Sequence, residues 1–143
     1  MKERYILKLN IIHSKIGYIL ACLSSYSSLD LSKRIIEINE HIELINKTFK
    51  EEKNYIDVRN VIKLREHLKE LKTRLTDDVE VSLQGHKIAC LLFEVSMEIK
   101  MLILDIDSSY DDIIEYLSLT SQYLYDCGRI INIEVLCFEN KLL

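Results

Sequence analysis

Apolar side chains recur along the chain at steps of three and four. That spacing lines one face of an α-helix, and no alternation at steps of two competes with it over a long stretch. A first helix is expected from about Lys2 to Ser25, with Tyr5, Leu9, Ile12, Ile16, Ile19 and Leu23 on one face. The serine-rich run at 24–28 ends it, because serine hydroxyls compete for backbone hydrogen bonds and favour turns. Ser28 or Asp30 can cap a second helix, whose stripe is Leu31, Ile35, Ile38, Ile42, Ile45 and Phe49. After a polar link at 50–54, Asp57 is the expected N-cap of a third helix carrying Val61, Leu64, Leu68, Leu71 and Leu75. A short irregular piece, with room for a small helix near 77–84, precedes a fourth helix over 87–105. Ser108 and Ser109, each followed three residues on by Asp111 and Asp112, mark an acidic helix start.

The last segment is the most regular. Tyr110, Ile114, Leu117, Ser121, Leu124, Gly128, Ile131, Val135, Phe138 and Leu142 alternate steps of four and three. One helix can carry this seam throughout. Gly128 is the weak point, since glycine costs about 1 kcal/mol relative to alanine inside a helix. Ser121 and Gly128 also offer room for a close helix neighbour. The Ile- and Val-rich 130–137 stretch leaves a short strand as the alternative.

The fourth segment, KIACLLFEVSMEIKMLILD, is apolar nearly all round. Its polar groups fall in one thin line: Lys87, Glu94, Glu98 and Asp105. A surface helix needs only one apolar face, so this one is expected to touch neighbours on several sides. A bilayer is excluded as that neighbour, because Glu94, Glu98 and Lys100 near its centre would each cost roughly 2.5–3.5 kcal/mol.

The composition fits a folded chain. It is 48% hydrophobic and 29% charged, with no proline and three glycines in 143 residues. One all-α domain over 1–143 is expected. The net charge of −4 is unevenly spread. Residues 47–74 hold nine basic against five acidic side chains, whereas residues 94–143 hold three against ten. Basic and acidic residues interleave in the basic part, so nucleic acid is not an expected partner. The start, MKERYILKLN, lacks the layout of a signal peptide. The dispersed Cys22, Cys90, Cys127 and Cys137 form no CxxC and suggest buried thiols in a reducing, cytoplasmic setting.

No enzyme constellation is visible. Glycines at 17, 85 and 128 make no phosphate loop, and there is neither HExxH nor a Cys/His cluster at zinc spacing. The pairs Asp105/Asp107 and Asp111/Asp112 sit at helix ends, where capping accounts for them better than a metal does. His67 and His86 raise an axial-ligand reading for heme, but the segment between them is too short for a helix presenting a proximal ligand. The most conspicuous side chain is Arg65. Its helical neighbours are Val61, Ile62, Leu68 and Lys69, so it flanks the apolar stripe with no acid one turn away. It needs an acceptor: water, an acid from another helix such as Glu94 or Glu98, or a bound anion such as a carboxylate. In the last case the apolar faces of helices two to five would enclose an acyl chain, with Leu64, Leu68, Leu71 and Phe93 lining a tunnel and Arg65 at the head group.

In length, helix order, the short or missing sixth helix before KIACLLFEVSMEIKMLILDID, and the long helix from SSYDDIIEYLSLTSQYLYDCGRI onward, the chain resembles the non-heme globin sensor domains of Bacillus. Those occur in a sporulation sensor histidine kinase and as free-standing, plasmid-encoded sporulation-inhibitory proteins. The resemblance covers the whole chain and rests on no short motif. It implies a globin-like helical domain without heme, with a short or missing F-type helix, dimerising through the last two long helices. It further implies a fatty acid in a hydrophobic tunnel, a chloride near the head group, no catalysis and no metal. A free-standing protein of this kind would restrain sporulation signalling by titrating the signal of the kinase. The competing reading is a ligand-free helical adaptor or antagonist that binds a partner protein in a groove.

Overall fold

The computed structural model describes residues 2–24, 29–75 and 86–142, with side chains described at 2–24, 31–75 and 86–134. Five helices account for almost all of it: α1 (Lys2–Leu23), α2 (Leu29–Glu51), α3 (Val58–Lys72), α4 (Lys87–Asp105) and α5 (Asp111–Leu142). No strand occurs among the described residues. The 130–137 stretch is helical, and α5 passes through Gly128 unbroken. The irregular piece near 77–84, and with it the F-type position, lies outside the described residues.

Local signals explain the boundaries. Asp57 caps α3 by accepting from the backbone N–H groups of Arg59 and Asn60, while the Asn60 side chain accepts from the Asp57 N–H. His86 caps α4 through Nδ1, which accepts from the Ile88 N–H at 3.2 Å. Asp107 holds the turn before α5 by accepting from the Ser109 N–H at 2.8 Å, and Asp111 and Asp112 occupy the acidic first turn. The second helix begins at Leu29, one residue before Asp30, so the cap position falls on Ser28, outside the described residues. It ends at Glu51, and Glu52 then adopts a left-handed φ of 55°, the conformation that commonly closes a helix.

Cross-helix pairs fix the directions of the helices. Asn46 on α2 donates to Asn10 on α1 at 2.6 Å, and Lys2 pairs with Glu52 at 2.6 Å, so α1 and α2 are antiparallel. Between α2 and α5, His41 meets Tyr116 and the Phe49 ring meets Tyr110, again antiparallel. Ser96 and Ser121 exchange buried hydrogen bonds between α4 and α5, where Phe93 lies against Tyr125. The fourth pair, α1 with α4, runs from Lys8–Asp105 to Tyr18–Lys87. Direction therefore alternates around the ring α1–α2–α5–α4, as in an antiparallel four-helix bundle. The remaining helix, α3, lies along α5 and runs parallel to it, as Arg65–Glu115, Lys72–Asp126 and Arg74–Glu134 show.

The four stripes predicted for α1, α2, α3 and α5 line the core wherever their side chains are described, with Leu75, Tyr110 and Ile114 only partly covered. The thin polar line of α4 is its border with α1. Asp105 takes Lys8 at 2.6 Å, Glu94 and Glu98 both take Lys15, and the Lys87 ammonium lies 5.8 Å from the Tyr18 ring centre. The Tyr5 hydroxyl donates to the Asp105 carbonyl at 2.6 Å, holding the end of α4. A second side of α4 packs on α5. A third, with Met97, Met101 and Leu104, is exposed. By length and composition α1 could cross a membrane, yet its stripe from Tyr5 to Leu23 is buried in the bundle.

The α5 seam lies inside the fold. Leu117, Ser121, Leu124, Gly128 and Ile131 are all buried. Gly128 makes the close approach possible, since a Cβ there would sit 2.6 Å from the Phe93 ring. The small residues thus admit a neighbouring helix of the same chain.

Candidate functional site

Arg65 and the four tunnel residues are not brought together. Leu64, Leu68 and Leu71 are buried on the core side of α3, and Phe93 is packed against Gly128 and Tyr125 on the far side of α5. Arg65 lies at the surface in an ion pair with Glu115 of α5. The acceptor it needs is therefore an acid from another helix. Glu94 and Glu98 do not serve, because Lys15 holds both. The sequence could not show this pairing, since residues 65 and 115 come together only when α3 folds back along α5.

Charged and titratable groups converge elsewhere, in a crevice between α2 and α3 above α5. It is lined by Arg34, Glu37 and His41 from α2, Lys63 and His67 from α3, and Tyr116 from α5, over a floor of Ile38 and Leu64. Helical spacing builds the site: Arg34, Glu37 and His41 are one turn apart on α2, and Lys63 and His67 are one turn apart on α3. Of these residues sequence reasoning weighed only His67, as a heme ligand, and it missed the cluster that Arg34, Glu37, His41, Lys63 and Tyr116 form with it. The signal available was the 34, 37, 41 spacing beside a buried stripe.

The Glu37 carboxylate is the hub. Arg34 and Lys63 each approach it at 3.5 Å. Burial pushes its pKa up, but Lys63 and the two histidines outweigh this and hold it below the usual carboxylate range. His41 Nδ1 lies 2.6 Å from the Tyr116 hydroxyl, and either group can donate. Burial lowers the His41 pKa, and burial aided by Arg34 lowers that of His67, so both imidazoles favour the neutral form near pH 7. Tyr116 is 1% exposed, and burial raises its pKa so far that it stays protonated. At neutral pH the crevice therefore carries two cations and one anion, with four neutral groups able to hydrogen-bond: His41, His67, Tyr116 and Asn60. Its enclosed space, about 10 Å³, is on the scale of one water molecule.

A larger open cleft of about 560 Å³ lies at the end of the bundle, lined by Lys2, Thr48, Glu52 and residues 109–113. It suits an anion less well. Asp111 and Asp112 line it, and its one cation, Lys2, is committed to Glu52. No group of three or more His, Cys, Asp or Glu side chains suitable for a metal ion occurs among the described residues. Asp105 is held by Lys8 and Asp107 by its turn. Cys22 and Cys90 are partly buried and Cys127 is buried.

No protein-family model matches the chain, and no curated protein matches it closely enough to indicate common descent.

Proposed function

We propose that the protein is a non-catalytic sensor module that binds a fatty acid and restrains sporulation signalling by withdrawing that ligand from a sensor histidine kinase. The signalling role rests on the family resemblance, as do the globin-like architecture and a chloride at the head group. One observation supports the ligand chemistry: the crevice joins Arg34, Lys63 and neutral hydrogen-bonding groups to an apolar floor. A ligand carboxylate can take the place of Glu37 between the two cations, provided that Glu37, 29% exposed, turns out to water. The guanidinium of Arg34 can engage it by two parallel hydrogen bonds.

The acyl chain would run below Leu64, Leu68 and Leu71, along the joint between α3 and α5. That joint is closed, so binding requires α3 to lift. Its attachment permits this: α3 packs its backbone closely against α5 alone and is tied at its margins by ion pairs to Glu37, Glu115, Asp126 and Glu134. Arg65 would act as one of these ties, and Arg34 with Lys63 would hold the head group.

Organic extraction of the purified protein followed by mass spectrometry is expected to release an acyl chain, and palmitate added to stripped protein is expected to raise its melting temperature. Replacing Arg34 and Lys63 by methionine should abolish that rise, while Arg65→Met should leave it. Absence of both extracted lipid and a palmitate shift would refute the ligand reading. A ligand-free adaptor is the second reading, favoured by the packed core and by the exposed apolar side chains of α1 and α4.

A further inference from the structure

The crevice between α2 and α3 holds more positive charge than one carboxylate can balance. Arg34 and Lys63 stand on facing helices, each 3.5 Å from the Glu37 carboxylate between them. Among the described residues no other acid lines the space; Glu40 and Glu70 act on the two imidazoles from outside it. Glu37 is 29% exposed, so turning its carboxylate out to water leaves that charge solvated rather than buried and unpaired. The gap it vacates is flanked by two full cations.

The neutral groups point the same way. Tyr116 keeps its proton and can share it with His41 Nδ1, 2.6 Å away, which leaves the His41 Nε2–H as a donor. The Asn60 side-chain oxygen accepts from the Asp57 N–H at 3.0 Å, so its NH2 end is the one left to donate. His67, one turn along α3 from Lys63, is neutral and offers one N–H. With two N–H groups from Arg34 and one each from Lys63, Asn60, His41 and His67, the donors outnumber the roughly four lone-pair sites of a carboxylate. A phosphate monoester suits this set better, because it has three strong acceptor oxygens and a charge of about −1.5 to −2 at pH 7.

We propose that the head group preferred by this crevice is a phosphate monoester on an acyl or alkyl chain, held by Arg34 and Lys63 together, with Lys63 answering the second negative charge. The inference rests on the ligand reading above and narrows it. A carboxylate is held chiefly by Arg34, whose planar guanidinium matches its two oxygens. It gains little from Lys63, which at 60% exposure is as well placed in water. A dianion engages both cations. It thereby ties α3, which carries Lys63, Asn60 and His67, to α2, which carries Arg34 and His41.

Isothermal titration calorimetry of the lipid-stripped full chain at pH 7.5 can compare dodecyl phosphate with laurate, both below their micelle concentrations. Dodecyl phosphate should bind roughly tenfold tighter or more, through the added charge-assisted contacts. Lys63→Met, at an exposed site, should remove most of that preference, barely change laurate binding and leave helical circular dichroism unchanged. Inorganic phosphate should bind roughly a hundredfold more weakly than dodecyl phosphate, since it buries no chain. Laurate or palmitate bound as tightly as dodecyl phosphate would overturn the inference and leave the ligand reading standing. A preference that survives Lys63→Met would also overturn it. Inorganic phosphate bound as tightly as dodecyl phosphate would replace it with a free-phosphate site. If none of these ligands binds, the ligand reading falls with it.

Discussion

Single side chains carry unequal weight in this fold, and Gly128 shows why. Its missing Cβ makes room for the Phe93 ring, which is 3% exposed and already packed on Tyr125. Alanine would gain about 1 kcal/mol in helix propensity. The displaced ring would lose more, since overpacking a core costs about 1–3 kcal/mol. Gly128→Ala should therefore be destabilising by about 1 kcal/mol in urea unfolding, and adding Phe93→Leu should recover most of the loss. His41 and His67 have a different signature. Their folded pKa values lie below the ordinary value of about 6.5, so the unfolded chain takes up protons first as the solution is acidified. The stability they contribute is complete above about pH 6.5 and declines as pH falls through the lowered folded values. Melting temperature should drop between pH 7 and pH 5, and His41→Gln with His67→Gln should flatten that dependence.

At the scale of the element, α3 stands apart. Its apolar side chains rest on α5, while Lys63, Arg65, Lys72 and Arg74 reach acids on α2 and α5. These ties differ. Arg65 and Glu115 are both about half exposed, the regime in which an ion pair contributes about 0–1 kcal/mol. Asp126 is 4% exposed, and Lys72 and Arg129 are its cations at 3.5 and 3.6 Å. Removing one partner of a buried charge costs far more than removing one of a surface pair. Lys72→Met should thus lose about 1–2 kcal/mol, discounted because Lys72 is half exposed, and Arg65→Met less than about 0.5 kcal/mol. Hydrogen exchange should show α3 amides opening ahead of those in α1, α2 and α5, and more so at high salt, which screens the exposed ties.

For the whole molecule, much of the fold was legible because helical spacing reports burial directly. The stripes of α1, α2, α3 and α5, the Asp57 cap and the close approach at Ser121 and Gly128 all follow from local pattern. Pairing between distant helices did not. The pattern shows that α4 has several apolar sides, and that Lys87, Glu94, Glu98 and Asp105 share a line. It does not show that the line meets Lys8, Lys15 and Tyr18 of α1. The same limit applies to Arg65, whose lack of a neighbour within its own helix pointed to a partner but could not name Glu115. The crevice residues were hidden for a related reason. Arg34 and Glu37 look like an ordinary surface pair until α3 brings Lys63 and His67 beside them. Spacing along one helix is written in the sequence, whereas the meeting of two faces depends on how α3 returns the chain along α5.

That return path has a consequence for how the molecule is made on the ribosome. The α1–α2 hairpin is synthesised first and can pair its own asparagines. Yet the partners of its remaining apolar surface are α4 and α5, about 75 to 100 positions further along the chain, as His41–Tyr116 and Tyr5–Asp105 show. Closing such distant contacts is slow compared with forming helices. The nascent hairpin must therefore wait, with its isoleucine faces uncovered, until α5 has been made.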